Sequence, residues 1–101
     1  MIERYTGEHI KIEREVLNSQ GLPADLTGAT AKFSLKSRFG GVATLKTCTI
    51  SDNVLSVTLT PTDTAIEGTY DYEFKLKLNN EFGVIDRGEL VLIGSYIPST
   101  F

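Results

Sequence analysis

Thr69-Tyr70-Asp71-Tyr72-Glu73-Phe74-Lys75-Leu76-Lys77-Leu78 is the stretch whose reading decides the fold. Tyr70, Tyr72, Phe74, Leu76 and Leu78 recur at every second position, and Asp71, Glu73, Lys75 and Lys77 fill the places between. In an extended chain successive side chains point to opposite faces, so this pattern makes one apolar and one charged face. A helix would scatter the same apolar residues around its circumference. The stretch therefore reads as a strand with one face in a core and the other in water.

The same period runs outward in both directions. Residues 82–85 and 89–93 read as one or two closing strands, with Gly88 as a bulge or kink. Asn79-Asn80 predicts a tight hairpin between these runs, because Asn tolerates positive φ. Toward the N-terminus, residues 54–60 place Leu55, Val57 and Leu59 inward, and residues 30–36 place Ala31, Phe33 and Leu35 inward. Residues 9–16 put Ile10, Ile12 and Val16 on one face. Residues 43–50 are less regular, but Thr44, Thr47 and Thr49 favour one extended segment. Pro61-Thr62-Asp63-Thr64-Ala65 is the one helix-like piece, capped by Thr60 and ended by Gly68, and reads as a single turn crossing between two sheets. About seven short antiparallel strands at this spacing predict an all-β, immunoglobulin-like β-sandwich, with a small closed barrel as the alternative. The chain reads as a single domain over residues 1–101, its core at about 7–93 and a short C-terminal tail at 94–101.

With 101 residues there is room for one domain. The formal charge is −3, and the basic residues are spread along the chain, which argues against nucleic acid or an anionic membrane surface as the main partner. Cys48 is the only cysteine, so no internal disulfide forms and the thiol suits folding in a reducing cytoplasm. The charged N-terminal segment lacks the apolar core of a signal peptide.

Two stretches and a short segment of four residues carry a resemblance. Gly21-Leu22-Pro23-Ala24-Asp25-Leu26-Thr27-Gly28-Ala29-Thr30-Ala31-Lys32-Phe33-Ser34-Leu35 is one. Leu59-Thr60-Pro61-Thr62-Asp63-Thr64-Ala65-Ile66-Glu67-Gly68-Thr69-Tyr70-Asp71-Tyr72-Glu73-Phe74 is the other, followed by Arg87-Gly88-Glu89-Leu90. Together they resemble the Ig-like domain at the N-terminus of phage baseplate upper proteins, a kind of domain found in many phage and prophage structural proteins. The resemblance runs over residues 7–93. It implies a non-enzymatic structural protein of a phage or prophage particle (a tail, baseplate or neck component), made in the bacterial host cytoplasm and residing in the virion. Its partners would be other phage structural proteins and further copies of itself, with no nucleic acid or membrane.

The same residues also have physical readings. Asp25 and Thr27 can bond nearby backbone amides, Gly28 permits a tight bend and Leu26 can tuck under the end of the sandwich. Tyr70 and Tyr72 sit where a tyrosine-corner residue would, with a ring inside and a hydroxyl reaching backbone.

Candidates for chemistry are sparse. Cys48 with His9, the only histidine, would need the fold to bring them together; a core thiol and a surface imidazole are the simpler reading. Asp71 and Glu73 share a strand face but alternate with Lys75 and Lys77, as a solvated face does. Asp25 and Asp63 could hold calcium if they met at one end of the sandwich. Phe39-Gly40-Gly41 lacks the lysine and the helix of a phosphate loop. No catalytic residue, metal ligand or cofactor site is therefore expected. Val91 and Ile93 alternate with Leu90 and Leu92, so the last strand is apolar on both faces and either lies under another element or meets a partner. Val91, Ile93, Tyr96 and Phe101 are the expected interface residues. A carbohydrate- or receptor-binding module is the alternative, and it predicts exposed aromatics at Phe39 or Phe82.

Overall fold

The computed structural model describes residues 1–41 and 43–95. They form eight strands in two sheets and no helix: β1 (Ile2–Tyr5), β2 (Ile10–Glu15), β3 (Thr30–Ser37), β4 (Thr44–Thr47), β5 (Thr49–Ser51), β6 (Val54–Leu59), β7 (Gly68–Leu78) and β8 (Glu81–Ile93). One sheet has five strands in the order β1-β8-β7-β3-β4; the other has three, β2-β6-β5. All pairings are antiparallel except that of β1 with β8. The expectation of about seven antiparallel strands thus differs in two ways: a parallel N-terminal strand is added, and residues 43–50 divide.

That division has a physical cause. Thr44–Thr47 pairs with β3, whereas Thr49–Ser51 pairs with β6 in the other sheet. The chain passes between sheets at Cys48, whose side chain is buried and whose N–H donates to Ala31 O at 2.9 Å. A small apolar residue at the crossing lets one segment serve both sheets, so alternation fails there without any loss of extended backbone.

The inward faces of both sheets meet in one core. Phe33, Phe74, Leu55, Leu59 and Leu90 are fully buried, joined by Ile10, Ile12, Ala31, Leu35, Val57, Tyr72 and Leu92. Phe33 lies at the centre of a ring cluster, 5.0 Å from Phe74 and 5.8 Å from Tyr72 between centroids. Burying one such ring contributes roughly 1.5–3 kcal/mol. Leu26 is buried beneath the loop before β3. In that loop, Asp25 accepts from the Thr27 N–H at 3.0 Å and the Thr27 hydroxyl at 2.6 Å, and Gly28 takes a φ of 81°.

β7 and β8 make a long hairpin closed by Asn79 and Asn80, both at positive φ, as a two-residue turn of the primed kind requires. The expected irregularity at Gly88 lies elsewhere. The register shifts where Phe74 pairs with Asp86 and Lys75 with Val84, leaving Ile85 as the extra residue. Gly88 instead sits under the ring of its partner Tyr72; a Cβ there would come within 2.6 Å of Cζ and Oη. The glycine is needed for close approach rather than for a bend.

The β6–β7 connection makes one α-turn, Thr64 N–H to Thr60 O at 3.1 Å, without becoming a helix. It joins the three-stranded to the five-stranded sheet. The fully buried Thr64 hydroxyl donates to Glu8 O at 2.8 Å, pinning the β1–β2 loop against the crossing. Tyr70, at the start of β7, donates its hydroxyl to Ile66 O four residues upstream at 2.7 Å. Tyr72 behaves differently: its hydroxyl accepts from Arg14.

Candidate functional site

The candidates for catalysis are not assembled into a site. The Cys48 thiol is pushed up by burial, which Lys32 only partly offsets, so it is held in its protonated form. Its backbone lies against β3, while the exposed His9 precedes β2, beside the Glu8 carbonyl that receives Thr64. Asp25 and Asp63 stand at opposite ends of β6. Asp25 lines an open groove of ≈ 530 Å³ with Asp52 and Asn53 at the start of β6; Asp63 follows its end. Among the described residues no group of three or more His, Cys, Asp or Glu side chains converges as metal ligands.

Two polar joints brace the fold, one between the two sheets and one between a sheet and the crossing, and neither pairing is visible in the sequence. Arg14 continues the inward series Ile10-Ile12. Its guanidinium donates to Asp86 on β8 and to the Tyr72 hydroxyl on β7, and lies 5.6 Å from the Tyr72 ring centroid. The hydrogen bond to Asp86 outweighs burial and raises Arg14 above its ordinary range. At the far end, Lys46 of β4 meets Asp63 of the crossing at 2.6 Å. Asp63 also accepts from the Thr60 N–H at 2.8 Å and the Thr60 hydroxyl at 3.0 Å. Burial works to raise the Asp63 carboxyl, but Lys46 and the two bonds from Thr60 outweigh it and hold the carboxyl below the usual range. The signal for Arg14 was parity within its strand; neither partner could be inferred without the sheet order.

The outer face of the five-stranded sheet carries the remaining features, in two unlike halves. In the first, Arg38 bridges two carboxylates, Asp71 at 2.7 Å and Glu89. The bond from Arg38 holds the Asp71 carboxyl below the usual range, so it stays ionised and cannot act as an acid near neutrality. Glu73 stands directly opposite Arg87. Glu73–Arg87 is an opposite-charge pair, which is stabilising, and Arg38 offsets the like-charged pair that Asp71 makes with Glu89 opposite it.

The second half lies toward the hairpin turn. Lys32 on β3 is directly opposite Lys75 on β7, and Lys77 is opposite Phe82 on β8. Phe82 is 66% exposed. The Lys75 and Lys77 ammonium groups lie 5.7 Å and 5.4 Å from its ring centroid. Val84, also exposed, is opposite Lys75. Lys32 donates to the Thr47 hydroxyl at 2.8 Å. Ion pairs among the described residues involve Lys11, Arg14, Arg38 and Lys46, and none of these three lysines.

Of the expected interface residues, Val91 is half-buried on this outer face, opposite Glu3 and Thr69, and Ile93 is 41% exposed opposite Tyr5. Tyr96 and Phe101 lie outside the described residues. Leu90 and Leu92 face the core. The β1 strand pairs with β8 only over residues 90–93, so the edge of β8 from 81 to 89 has no strand partner among the described residues.

No family model matches this chain, and no curated protein matches it at a significant level.

Proposed function

We propose that this chain is a non-enzymatic structural protein of a phage or prophage particle, a tail, baseplate or neck component with an immunoglobulin-like sandwich, working through protein–protein contacts. Several features favour that sandwich. The order β2-β6-β5 follows the B-E-D strands of such a domain, and β8-β7-β3-β4 follows G-F-C with one added edge strand. The Tyr70–Ile66 bond repeats the tyrosine corner at the start of the F strand. The motifs 25–30, 59–65 and 68–74 supply the link to phage structural proteins.

The observation that carries the contact role is where apolar side chains meet solvent. Tyr5, Leu45, Phe82, Val84 and Ile93, half of the ten exposed large hydrophobics among the described residues, share the outer face of the five-stranded sheet. Scattered apolar residues need no explanation, but a concentration on one face points to a partner. Repetition in a symmetric particle would make individually weak contacts collectively strong.

The test is peptide mass spectrometry on particles purified from the source culture after lysis, with copy number from peptide intensity. The tryptic peptide 39–46 in the particle band, at a copy number matching a symmetric ring or lattice, is the expected result. Its presence in lysate and absence from particles would overturn the reading.

A carbohydrate- or receptor-binding module is the second reading, favoured by the exposure of Phe39 (88%) and Phe82. The two rings stand at opposite ends of β3: Phe82 lies in register with Lys77 and Thr30, whereas Phe39 follows Ser37. They cannot stack on one sugar. Binding of the protein to a glycan array, lost in Phe39→Ala or Phe82→Ala, would promote this reading over the first.

A further inference from the structure

We infer that the hairpin end of the outer sheet face, where Lys75 and Lys77 flank Phe82 and where Lys32 and Val84 stand on either side of Lys75, is a docking site for an acidic segment of a partner protein that brings an apolar residue onto the Phe82 ring. This deepens the contact role proposed above and rests on it.

Charge is the first ground. Like charges directly opposite on neighbouring strands destabilise a sheet, and Lys32 and Lys75 are so placed. The other half holds such a pair too, Asp71 opposite Glu89, but there Arg38 bridges the two carboxylates, whereas no carboxylate among the described residues pairs with Lys32 or Lys75. Along β7 the nearest carboxylate on this face is Glu73, which stands opposite Arg87 and Ser34. The three lysines are therefore a local excess of positive charge on a chain whose net charge is −3.

Apolar exposure at the same place is the second ground. A solvated lysine face needs no aromatic ring among its ammonium groups. Here Phe82 offers a flat apolar surface flanked by two cations, and Val84 extends it. An occupant complementary to both features has carboxylates flanking an apolar side chain. Between polyanions, the scale favours a peptide. Nucleic acid binding relies on many neutralised phosphates, and three lysines on an otherwise acidic protein provide few, whereas a short acidic segment need not extend past the patch.

The test is a titration of the ¹⁵N-labelled full chain, followed by amide shifts, with three probes: the peptide Glu-Glu-Phe-Glu-Glu, its neutral counterpart Gln-Gln-Phe-Gln-Gln, and a short oligothymidylate. The expected result is saturable shifts at residues 32, 75, 77 and 82 with the acidic peptide, weakening with added salt, and little response to the neutral one. Two exposed charge contacts account for about a tenfold loss of affinity in K75Q/K77Q. F82A should also weaken the acidic peptide while its spectrum stays folded. Shifts centred elsewhere, equal response to both peptides, or unchanged affinity in K75Q/K77Q would overturn the inference. Tighter binding of oligothymidylate at the same residues would assign the patch to nucleic acid instead. Because the probes are synthetic, failure here leaves the particle result untouched, and the converse also holds.

Discussion

Arg38 stands between Asp71 and Glu89 at one end of the outer sheet face, while at the other Lys75 and Lys77 flank an exposed Phe82, Lys32 stands opposite Lys75, and none of the three lysines is ion-paired among the described residues. Both ends are built from the same strands with the same alternation of inward and outward side chains. One half meets its electrostatic needs within the chain, and the other leaves them to whatever approaches. Fold requirements alone do not call for that asymmetry, since any polar residues would serve the outward positions. The contrast locates the difference between a surface that only solubilises the sheet and one suited to a partner.

Four experiments sharpen or break this comparison. Both halves rest on one core, so Phe33→Ala should be the most costly change, lowering stability by about 3–5 kcal/mol in urea denaturation. Unfolding should remain one transition. A separate transition for the hairpin would mean that the lysine half is an independent arm. Gly88→Ala should cost about 1–3 kcal/mol, because the new methyl displaces the Tyr72 ring that Arg14 holds. Near-neutral behaviour would show that Tyr72 can move freely.

Asp63→Asn should cost about 1–2 kcal/mol at pH 7 by removing the charge that meets Lys46. The folded Asp63 carboxyl is depressed, so its contribution is present above its unfolded value and fades as pH falls through the lower folded value. The gap between wild type and variant should accordingly close in acid, below about pH 4; a gap constant down to pH 2 would exclude the charge as its cause. The smallest effect concerns the outer face itself. Lys75→Gln/Lys77→Gln should change stability by no more than about 0.5 kcal/mol, or raise the Tm slightly as like-charge repulsion falls. Arg38→Gln should lower the Tm, since it removes a shared partner of Asp71 and Glu89. The reverse order in a thermal melt would undo the contrast between the halves.

Strand alternation made most of the fold legible. The inward residues of β3, β6 and β7 are those that parity selects, and Asn79-Asn80 announces its hairpin. Legibility ended where one residue serves two sheets. Cys48 sits at a crossing that leaves no break in extended composition, so 43–50 reads as one strand. It also ended at inward charges: Arg14, Lys46 and Asp86 look like surface residues until the sheet order shows what faces them. Glycine commonly marks a bulge or kink, which makes Gly88 the expected place, yet Ile85 carries the irregularity and the glycine makes room for a ring. The lysine cluster was invisible for a different reason. Lys32 lies more than forty residues from Lys75 in sequence, and only the β3–β7 register brings them together. Val91 and Ile93 stand out in the sequence by their alternation with Leu90 and Leu92; the outer face they share extends to Phe82 and Val84.

The most direct test of the contact role is zero-length carbodiimide cross-linking of the purified particle, followed by peptide mass spectrometry, because this chemistry joins an ammonium only to a carboxylate in contact with it. The account predicts amide links from Lys75 or Lys77 to an Asp or Glu of another chain, with fewer from Lys36 on the ion-paired half. Links confined within this chain, or intermolecular links that avoid Lys32, Lys75 and Lys77, would contradict it.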